Sequence, residues 1–292
     1  MSGKIINVAV LGIGFSATAF HIPFILALPD LYKLHTIYER RATPTESKAR
    51  TLYGDRGVKV VSTLEEVIAD PEIDLVVVTV KDGAHYDYTK VKSVMLQAGK
   101  NVILEKPVTN TAEQVRDLIA TAKQNNVVFA PYHNRRFDGD FITLPDLVDF
   151  ESRFDVRADW GPAPLGADCA GIVFGLGSHL IDQAVALFGK PKSVTAVLDN
   201  GRKVGHPDVD DSGFGEDPED AYGEYAETVD GKPQYTKIPT EKGVYIEYFR
   251  NVGETILGKT TLEVTGEHAE LGLRIIELAH KSHKEKRTVD FE

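Results

Sequence analysis

The clearest indication of the fold is Val8-Ala-Val-Leu-Gly12-Ile-Gly14-Phe-Ser-Ala17. It reads as an apolar strand, a Gly-x-Gly-x-x-Ala turn and the start of a helix. Gly12 allows the tight turn, Gly14 lets a pyrophosphate approach the backbone, and Ala17 lets the helix pack closely on the strand. The free N–H groups at the helix N-terminus favour phosphate oxygens. The stretch therefore predicts a dinucleotide site made by Gly12, Ile13, Gly14, Phe15, Ser16 and Ala17.

Strand and helix signals alternate through the first half of the chain. Short runs rich in β-branched residues indicate six strands, at Ile6–Leu11, His35–Tyr38, Val58–Val61, Leu75–Val80, Asn101–Leu104 and Val127–Ala130. Longer amphipathic stretches lie between them, for example Thr89–Ala98 and Thr111–Asn125. This rhythm is typical of βαβ units and predicts an α/β fold with a parallel Rossmann sheet in a first domain of residues 1–128.

The rhythm changes in residues 129–292, which we expect to form a second α/β domain. Its helical patterns lie at Gly177–Phe188, Lys242–Leu257 and Glu267–Lys284, and its strand-like runs at Ser193–Leu198 and Thr288–Phe291. The acidic stretch Pro207–Gly231 reads as a solvated loop. Part of it matches the spacing of an EF-hand loop, at Asp208, Asp210, Ser212, Gly213 and Glu219. Pro218 and the missing helix signal before Asp208 argue against calcium, so we expect no metal site.

The charge and the cysteine content exclude several classes of protein. A net charge of −11 argues against nucleic acid and anionic membrane surfaces as partners, because both need a basic patch. The single cysteine, Cys169, excludes an internal disulfide and fits a reducing compartment. The aliphatic run Leu75–Val80 is too short to span a bilayer. We therefore expect a cytoplasmic protein.

An acidic residue ends the second predicted strand. Glu39 stands where a carboxylate usually binds the ribose hydroxyls of NAD. Arg40 and Arg41 follow it, and an arginine at this place can hold the 2′-phosphate of NADP. We therefore expect either NAD or NADP as cofactor, with Glu39 favouring NAD and Arg40 as a neighbouring contact.

The fifth predicted strand ends at Glu105-Lys106-Pro107. Ligands of open α/β sheets bind at the carboxyl ends of the strands, so Lys106 is expected near the nicotinamide. A lysine there can polarise or protonate an alcohol or carbonyl oxygen as hydride moves. Pro107 restricts Lys106 to extended backbone geometry. The other cofactor contacts that we expect at this edge are Thr79, His85 and Glu105.

Four motifs in a fixed order carry a resemblance that runs almost from end to end. They are Gly12-x-Gly14-x-x-Ala17, Glu105-Lys106-Pro107, His133-Asn-Arg-Arg-Phe-Asp138 and Gly177-Ser-His-Leu-Ile-Asp-Gln183. In this order they resemble the glucose–fructose oxidoreductase/inositol dehydrogenase (Gfo/Idh/MocA) family, and most closely its branch with an Asn-Arg-Arg-aromatic-Asp motif. The first motif occurs in many families, whereas the other three together are distinctive.

The resemblance implies a Rossmann domain followed by a C-terminal α/β domain. In the family the mixed, open-faced sheet of that second domain often forms the subunit interface, which implies a homo-oligomer. The resemblance further implies NAD(P)-dependent oxidation or reduction of sugars, polyols and related diols. The family's active-site lysine corresponds to Lys106 and its acid/base histidine to His179. Asn134 falls where the family approaches the nicotinamide.

The helical pattern Gly177–Phe188 agrees with a role for His179. One face is apolar and carries Leu180, Ile181, Ala184, Val185 and Phe188. His179, Asp182 and Gln183 fall on the opposite, polar side. A carboxylate three residues after a histidine can contact it, so Asp182 is the third predicted catalytic residue.

Two departures from the family pattern bear on function. Gly175 stands where the family has an active-site aspartate, four residues before His179. The second domain also looks shortened, because Asp210-Asp211 and Gly213-Phe-Gly-Glu-Asp-Pro218 nearly abut where relatives have several strands. The shortening is either natural or an error of the gene model, and a truncated sheet weakens the case for a homo-oligomer.

Two functions follow from these features. The first is an NAD(P)-dependent oxidoreductase acting on CH–OH groups, which transfers hydride between the nicotinamide and a sugar-like or polyol substrate and is impaired by Gly175. The alternative is a catalytically weak or silent NAD(P)-binding sensor, a regulatory use of this fold that the family also contains.

Overall fold

A six-stranded parallel sheet forms the first half of the protein. The computed structural model describes residues 4–79, 95–143, 177–196, 223–229 and 232–291. The strands are β1 (Ile6–Leu11), β2 (Tyr32–Tyr38), β3 (Lys59–Val61), β4 (Leu75–Val78), β5 (Asn101–Leu104) and β6 (Phe129–Pro131). Their order is β3-β2-β1-β4-β5-β6, and every pair is parallel. The predicted Rossmann sheet is therefore confirmed.

The order of the strands reverses between β1 and β4, where ligands of such sheets bind. All four residues of β4 are completely buried. Leu75 and Val77 belong to the core on one face of the sheet, and Val76 and Val78 to the core on the other. This double burial explains why the β4 sequence is a continuous aliphatic run and not an alternating one.

Eight α-helices are described, and capping residues mark several of their ends. They are α1 (Ile22–Ala27), α2 (Lys48–Tyr53), α3 (Leu64–Ala69), α4 (Ala112–Gln124), α5 (Gly139–Thr143), α6 (Gly177–Phe188), α7 (Tyr245–Ile256) and α8 (Gly266–Glu285). A π-helical turn, Ala17–His21, precedes α1, and 3₁₀ turns lie at Gly54–Arg56 and Asn134–Phe137. A capping box of Thr111 and Gln114 begins α4.

The two C-terminal helices return to the first sheet. Tyr248, Phe249 and Val252 of α7 join the core on one face, and α8 packs against α4 in the core on the other. The sheet itself runs to Pro131, three residues beyond the predicted boundary at residue 128. Within the described ranges the second half of the chain therefore shares its hydrophobic core with the first.

The remaining described strands form two small antiparallel sheets. β7 (Ser193–Val194) pairs with β10 (Val289–Asp290), and β8 (Gly223–Val229) pairs with β9 (Lys232–Ile238). The α/β character of the second half is confirmed, but its described strands form two separate pairs and not one mixed sheet. The predicted acidic loop is corrected in part, since its last residues form β8.

Among the described residues there is neither a membrane-spanning helix nor a cluster of metal ligands. None of their helices combines the length and the apolar character needed to cross a membrane. None of their histidine, cysteine, aspartate and glutamate side chains forms a group of three or more suited to a metal ion.

Candidate active site

The turn after β1 has the shape that a dinucleotide requires. Gly12 has φ +106°, and a Cβ built there would lie 3.1 Å from Oγ1 of Thr79. That hydroxyl donates to the carbonyl of Leu11 at 2.9 Å, which ties β4 to the turn. A Cβ at Gly14 would meet nothing within 4 Å. Gly12 therefore makes the turn, and Gly14 leaves an open cradle at the start of the helix that suits a pyrophosphate.

The residues that follow the turn differ in exposure. Phe15 is 73% exposed, Ile13 is partly buried, and Ala17 is completely buried against the sheet. The Ser16 hydroxyl donates to the carboxylate of Glu105. The backbone N–H groups at this helix start are the expected phosphate ligands, while the Ser16 side chain is engaged at the reactive end of the sheet.

Glu39 lies at the carboxyl end of β2, as predicted, but it also caps helix α2. Its carboxylate accepts hydrogen bonds from Oγ of Ser47 at 2.6 Å and from the N–H groups of Lys48 and Ala49, both at 3.1 Å. Partial burial raises the pKa of Glu39, but these hydrogen bonds lower it below its usual value. The carboxylate is thus ionised and fixed, and Arg40 next to it is exposed.

Glu105 is a buried anion at the end of β5. Its Oε1 accepts hydrogen bonds from Nε2 of His21 at 2.9 Å and from Ser16, and its Oε2 accepts from the backbone N–H of Lys106 at 3.0 Å. Burial raises the pKa of Glu105, but the bonds from His21 and Ser16 and the charge of Lys106 lower it to about 2. A full negative charge therefore lies beside Lys106.

Helix α6 directs His179 and Asp182 into the protein. Their exposed fractions are only 3% and 1%, whereas Phe188 on the predicted apolar face is 43% exposed. The polar side of α6 therefore packs against the turn after β6, and Val185 of the apolar side is buried as well. Asp182 does not bind His179; both of its oxygens accept from Arg136 of that turn, at 2.7 and 2.8 Å.

Two buried imidazoles, those of His133 and His179, pack edge to face at this end of the sheet. The ring centres of His133 and His179 are 5.9 Å apart, with an angle of 86° between the planes. Both nitrogens of His133 and Nδ1 of His179 have no hydrogen-bond partner within the described ranges. Burial lowers the pKa of His179 well below its usual value, and the charge of Lys106 lowers it further. His179 is therefore neutral at pH 7. Lys106 follows β5 and His133 follows the adjacent strand β6, so both lie at the same edge of the sheet.

Three residues of this site were missed by the sequence analysis. His21 is a polar residue in an otherwise apolar stretch of the predicted helix. That exception to the apolar pattern was the signal that could have identified it. His133 and Arg136 belong to the quoted Asn-Arg-Arg motif, but only Asn134, which is 7% exposed, was assigned a role. Their pairing with α6 joins residues far apart in sequence, and no local pattern reports such contacts.

Several predicted features lie outside the described residues. They are His85, Gly175, and the EF-hand-like spacing between Asp208 and Glu219.

The glycine turn, the acidic end of β2 and the lysine at the end of β5 define a Rossmann protein of the nicotinamide-dinucleotide class. The family model described as "Oxidoreductase family, NAD-binding Rossmann fold" matches residues 6–133, and the C-terminal domain model of the same family matches residues 146–216. The chain belongs to the Gfo/Idh/MocA oxidoreductase family.

Relatives support this assignment over the whole chain. The chain is 33% identical to scyllo-inositol 2-dehydrogenase (NADP(+)) IolW of Bacillus subtilis, over 98% of this chain and 96% of that protein. It is 44% identical to an uncharacterized oxidoreductase of Schizosaccharomyces pombe over 70% of this chain, a match that spans only 58% of the yeast protein. The solved structure of yvaA from Bacillus subtilis has a TM-score of 0.84 at 30% identity and covers 99% of this chain.

The alignment with IolW also measures a difference in length. It extends over 358 positions, 66 more than the 292 residues of this chain. At least 66 of those positions are therefore gaps in this chain, which agrees with the shortening that the motif spacing predicts.

Proposed function

We propose that this protein is an NAD(P)-dependent oxidoreductase that transfers hydride between the nicotinamide and an alcohol or carbonyl of a sugar-like or polyol substrate. One observation carries the proposal: Lys106 follows β5, and the buried imidazole of His179 lies 5.9 Å from the ring of His133, which follows the adjacent strand β6, so both groups lie at the carboxyl edge of the sheet. A cation and a neutral base at this edge are the two groups that alcohol oxidation needs.

The residues around the glycine turn fit a nicotinamide dinucleotide. Gly12, Gly14 and the first N–H groups of the helix would hold the pyrophosphate, and Glu39 the adenosine ribose. Thr79 and Asn134 would line the nicotinamide end, with His85 as a further contact. The bound cofactor supplies the acceptor or donor of hydride.

We propose NAD in preference to NADP. The Glu39 carboxylate has about four lone-pair positions, of which α2 occupies three, so one remains for a ribose hydroxyl. Its negative charge would repel a 2′-phosphate. Arg40 and Arg41 act in the opposite direction, and the relative IolW is named for NADP(+).

Lys106 and His179 would have different roles toward the substrate. The Lys106 ammonium would stabilise negative charge on the substrate oxygen. The neutral His179 would accept the hydroxyl proton when the alcohol is oxidised and return it in the reverse reaction. Asp182 would act indirectly, because its bond to Arg136 holds α6 against the turn that carries Asn134.

The substrate class rests on the relatives. IolW is named for scyllo-inositol, and a Xenopus tropicalis relative, 28% identical over 207 residues, is named trans-1,2-dihydrobenzene-1,2-diol dehydrogenase. Both names describe molecules with neighbouring hydroxyl groups on a six-membered ring. We therefore propose a cyclic or open-chain polyol.

A second candidate is an NAD(P)-binding sensor with weak or no turnover. Asp182 is fully engaged by Arg136, and Nδ1 of His179 has no partner among the described residues. No described carboxylate therefore replaces the one that the family has at the position of Gly175. Loss of such an acid/base partner typically costs about a hundredfold to ten-thousandfold in rate.

A turnover screen separates the two candidates. Purified protein is incubated with sugars, inositols and diols in the presence of NAD or NADP, and reduced cofactor is followed by its absorbance. Turnover of a polyol that depends on Lys106 supports the enzyme. Saturable cofactor binding without turnover of any substrate supports the sensor.

The cellular setting belongs to the same proposal. We propose a cytoplasmic protein whose partner is a small molecule and neither nucleic acid nor a membrane. The motif spacing predicts a shortened second domain, the part that often forms the subunit interface in this family, so we propose a monomer and not a homo-oligomer. Light scattering that finds a stable dimer or tetramer would contradict the monomer.

A further inference from the structure

The side chain of His21 is completely buried between the cofactor helix and the Glu105 turn. His21 ends the π-helical turn that follows the glycine motif. Its ring centre lies 4.2 Å from that of Tyr132 and 5.8 Å from that of Phe249. The aromatic rings hold the imidazole in one place and leave Nε2 directed at Glu105.

The hydrogen bonds of Glu105 connect two parts of the site. One carboxylate oxygen accepts from His21 and Ser16, which both belong to the helix that would hold the pyrophosphate. The other oxygen accepts from the backbone N–H of Lys106. Because a carboxylate only accepts hydrogen bonds, Nε2 of His21 must carry a proton and donate it. Glu105 is thus the link between the cofactor helix and the lysine.

From this geometry we propose that His21 is a positioning residue that holds the Glu105–Lys106 turn by its hydrogen bond to the buried Glu105 carboxylate. The inference rests on the proposed catalytic role of Lys106. Without His21, one buried oxygen of Glu105 keeps only the Ser16 hydroxyl as donor. A buried carboxylate that loses a donor either moves or takes up a proton, and both changes would disturb the turn.

The consequence for catalysis is a loss of alignment. Displacing a catalytic group by about 1 Å can cost about a hundredfold in rate. His21 itself is too deeply buried to reach a substrate. Its replacement should therefore lower kcat more than it raises the KM for the alcohol.

The first experiment compares two replacements of His21. His21→Leu removes the donor, and His21→Gln places an amide N–H near the position of Nε2. We expect His21→Leu to lower kcat about 10- to 100-fold with a small change in KM, and His21→Gln to recover most of the loss. His35→Leu is the matched control, because His35 pairs with the exposed Glu72 at 3.4 Å. A glutamine variant no better than the leucine variant would overturn the proposal.

The second experiment measures the Glu105 carboxylate without any turnover. In the wild-type protein the folded pKa of Glu105 is about 2, below the unfolded value of about 4.3, so its stabilising effect is lost as the pH falls below about 4.3. In His21→Leu, burial should raise that pKa above 4.3. Relative to His21→Gln, which also lacks the imidazole, the loss of stability in His21→Leu should then be smaller near pH 4.5 than near pH 7.5. An equal loss at both pH values would contradict the bond to Glu105.

Other groups around Glu105 enter the interpretation of this pH dependence. They are His21 and Ser16 on the cofactor helix, Lys106 on its own turn, Tyr132 and His133 after β6, and Tyr248 on α7. The double-mutant cycle of His21→Leu with Glu105→Gln isolates one pair among them. At pH 7.5, His21→Leu should cost less stability in the Glu105→Gln background than in the wild-type protein.

A third measurement tests the positioning role of His21 separately from the catalytic role of Lys106. The rate at which acetic anhydride acetylates Lys106 in cofactor-free protein is followed by mass spectrometry, with the exposed Lys123 as internal reference. We expect faster acetylation of Lys106 in His21→Leu and the wild-type rate in His21→Gln. An unchanged rate in both would refute the positioning role. If Lys106→Ala leaves turnover intact, the proposed function fails, whatever the acetylation shows.

Discussion

Arg136 and Asp182 form a buried, two-point ion pair between the turn after β6 and helix α6. Nε and Nη2 of the arginine lie 2.7 and 2.8 Å from the two carboxylate oxygens. The Arg136 side chain is 13% exposed and that of Asp182 only 2%. The pair joins residues 46 positions apart and fixes His179 relative to Asn134.

We expect Arg136→Met to destabilise the protein strongly. It leaves the Asp182 charge buried without its partner, which typically costs about 3–5 kcal/mol. The free energy of unfolding, measured with urea, tests this. Arg116→Met is the matched control, because Arg116 and Glu270 form an exposed pair worth at most about 1 kcal/mol. Equal effects of the two substitutions would contradict the prediction.

We expect Gly14→Val to abolish cofactor binding while the fold is retained. The Gly14 cradle is open, so a side chain fits there sterically but fills the space of the pyrophosphate. Fluorescence titration with NADH measures binding, and thermal unfolding measures the fold. Gly57→Ala is the control, since Gly57 has φ +70° and faces open space. That variant should lose stability and still bind NADH.

We expect NADH to bind more tightly than NADPH, and Glu39→Gln to reduce or reverse that preference. The amide removes the charge that repels a 2′-phosphate. Dissociation constants for both cofactors are measured in both proteins. Glu66→Gln is the control, because Glu66 caps α3 in a similar way. Tighter binding of NADPH by the wild-type protein would show that Arg40 or Arg41 determines the preference.

We expect Lys106→Ala and His179→Ala each to lower kcat about a hundredfold or more, with NADH still bound. Both residues are proposed to act on the substrate and not on the pyrophosphate. Lys123→Ala serves as a surface control. Gly175→Asp should raise turnover by restoring the carboxylate of the family pattern. Unchanged turnover in Lys106→Ala would refute its assignment.

We expect the folded state to lose stability as the pH falls below about 6.5. Burial lowers the pKa of His179 and of His133, and the charge of Lys106 lowers that of His179 further, so the unfolded chain takes up protons that the folded protein excludes. Each group contributes up to about 1.4 kcal/mol per pH unit. Urea unfolding between about pH 7.5 and 5 measures the slope. His133→Gln should flatten it, and an unchanged slope in that variant would contradict the prediction.

The first sheet could be predicted almost completely because its signals are local. β1 and β5 have the predicted bounds, and α4 differs from its prediction by one residue at each end. Strand β2 starts three residues earlier than predicted, because Tyr32 and Leu34 extend the same alternation of buried residues. A buried strand, a turn with glycine at positive φ and a helix cap each require particular residue types at adjacent positions, so the sequence shows them directly.

The site could be predicted residue by residue but not as an arrangement. Lys106 and His179 were found through motifs, and both lie at the carboxyl edge of the sheet. The predicted contact of Asp182 with His179 was wrong. Helical periodicity distinguishes the two faces of α6, but it does not show which other element packs on each face. The role of Glu39 as a cap of α2 depends on the conformation of the turn between Glu39 and Ser47. The sequence of that turn contains no motif that predicts its conformation.

The packing of α7 and α8 on the first sheet makes the chain tolerant of changes in length. Strand β7 pairs with β10 and helix α7 packs on the first sheet, so the segment between Val194 and Tyr245 is a loop whose two ends are held on one scaffold. The entropy of closing such a loop grows only with the logarithm of its length, and halving it changes the free energy by about 0.6 kcal/mol. A change in the length of this segment therefore costs little closure entropy, and the cofactor cradle and the lysine stay where they are.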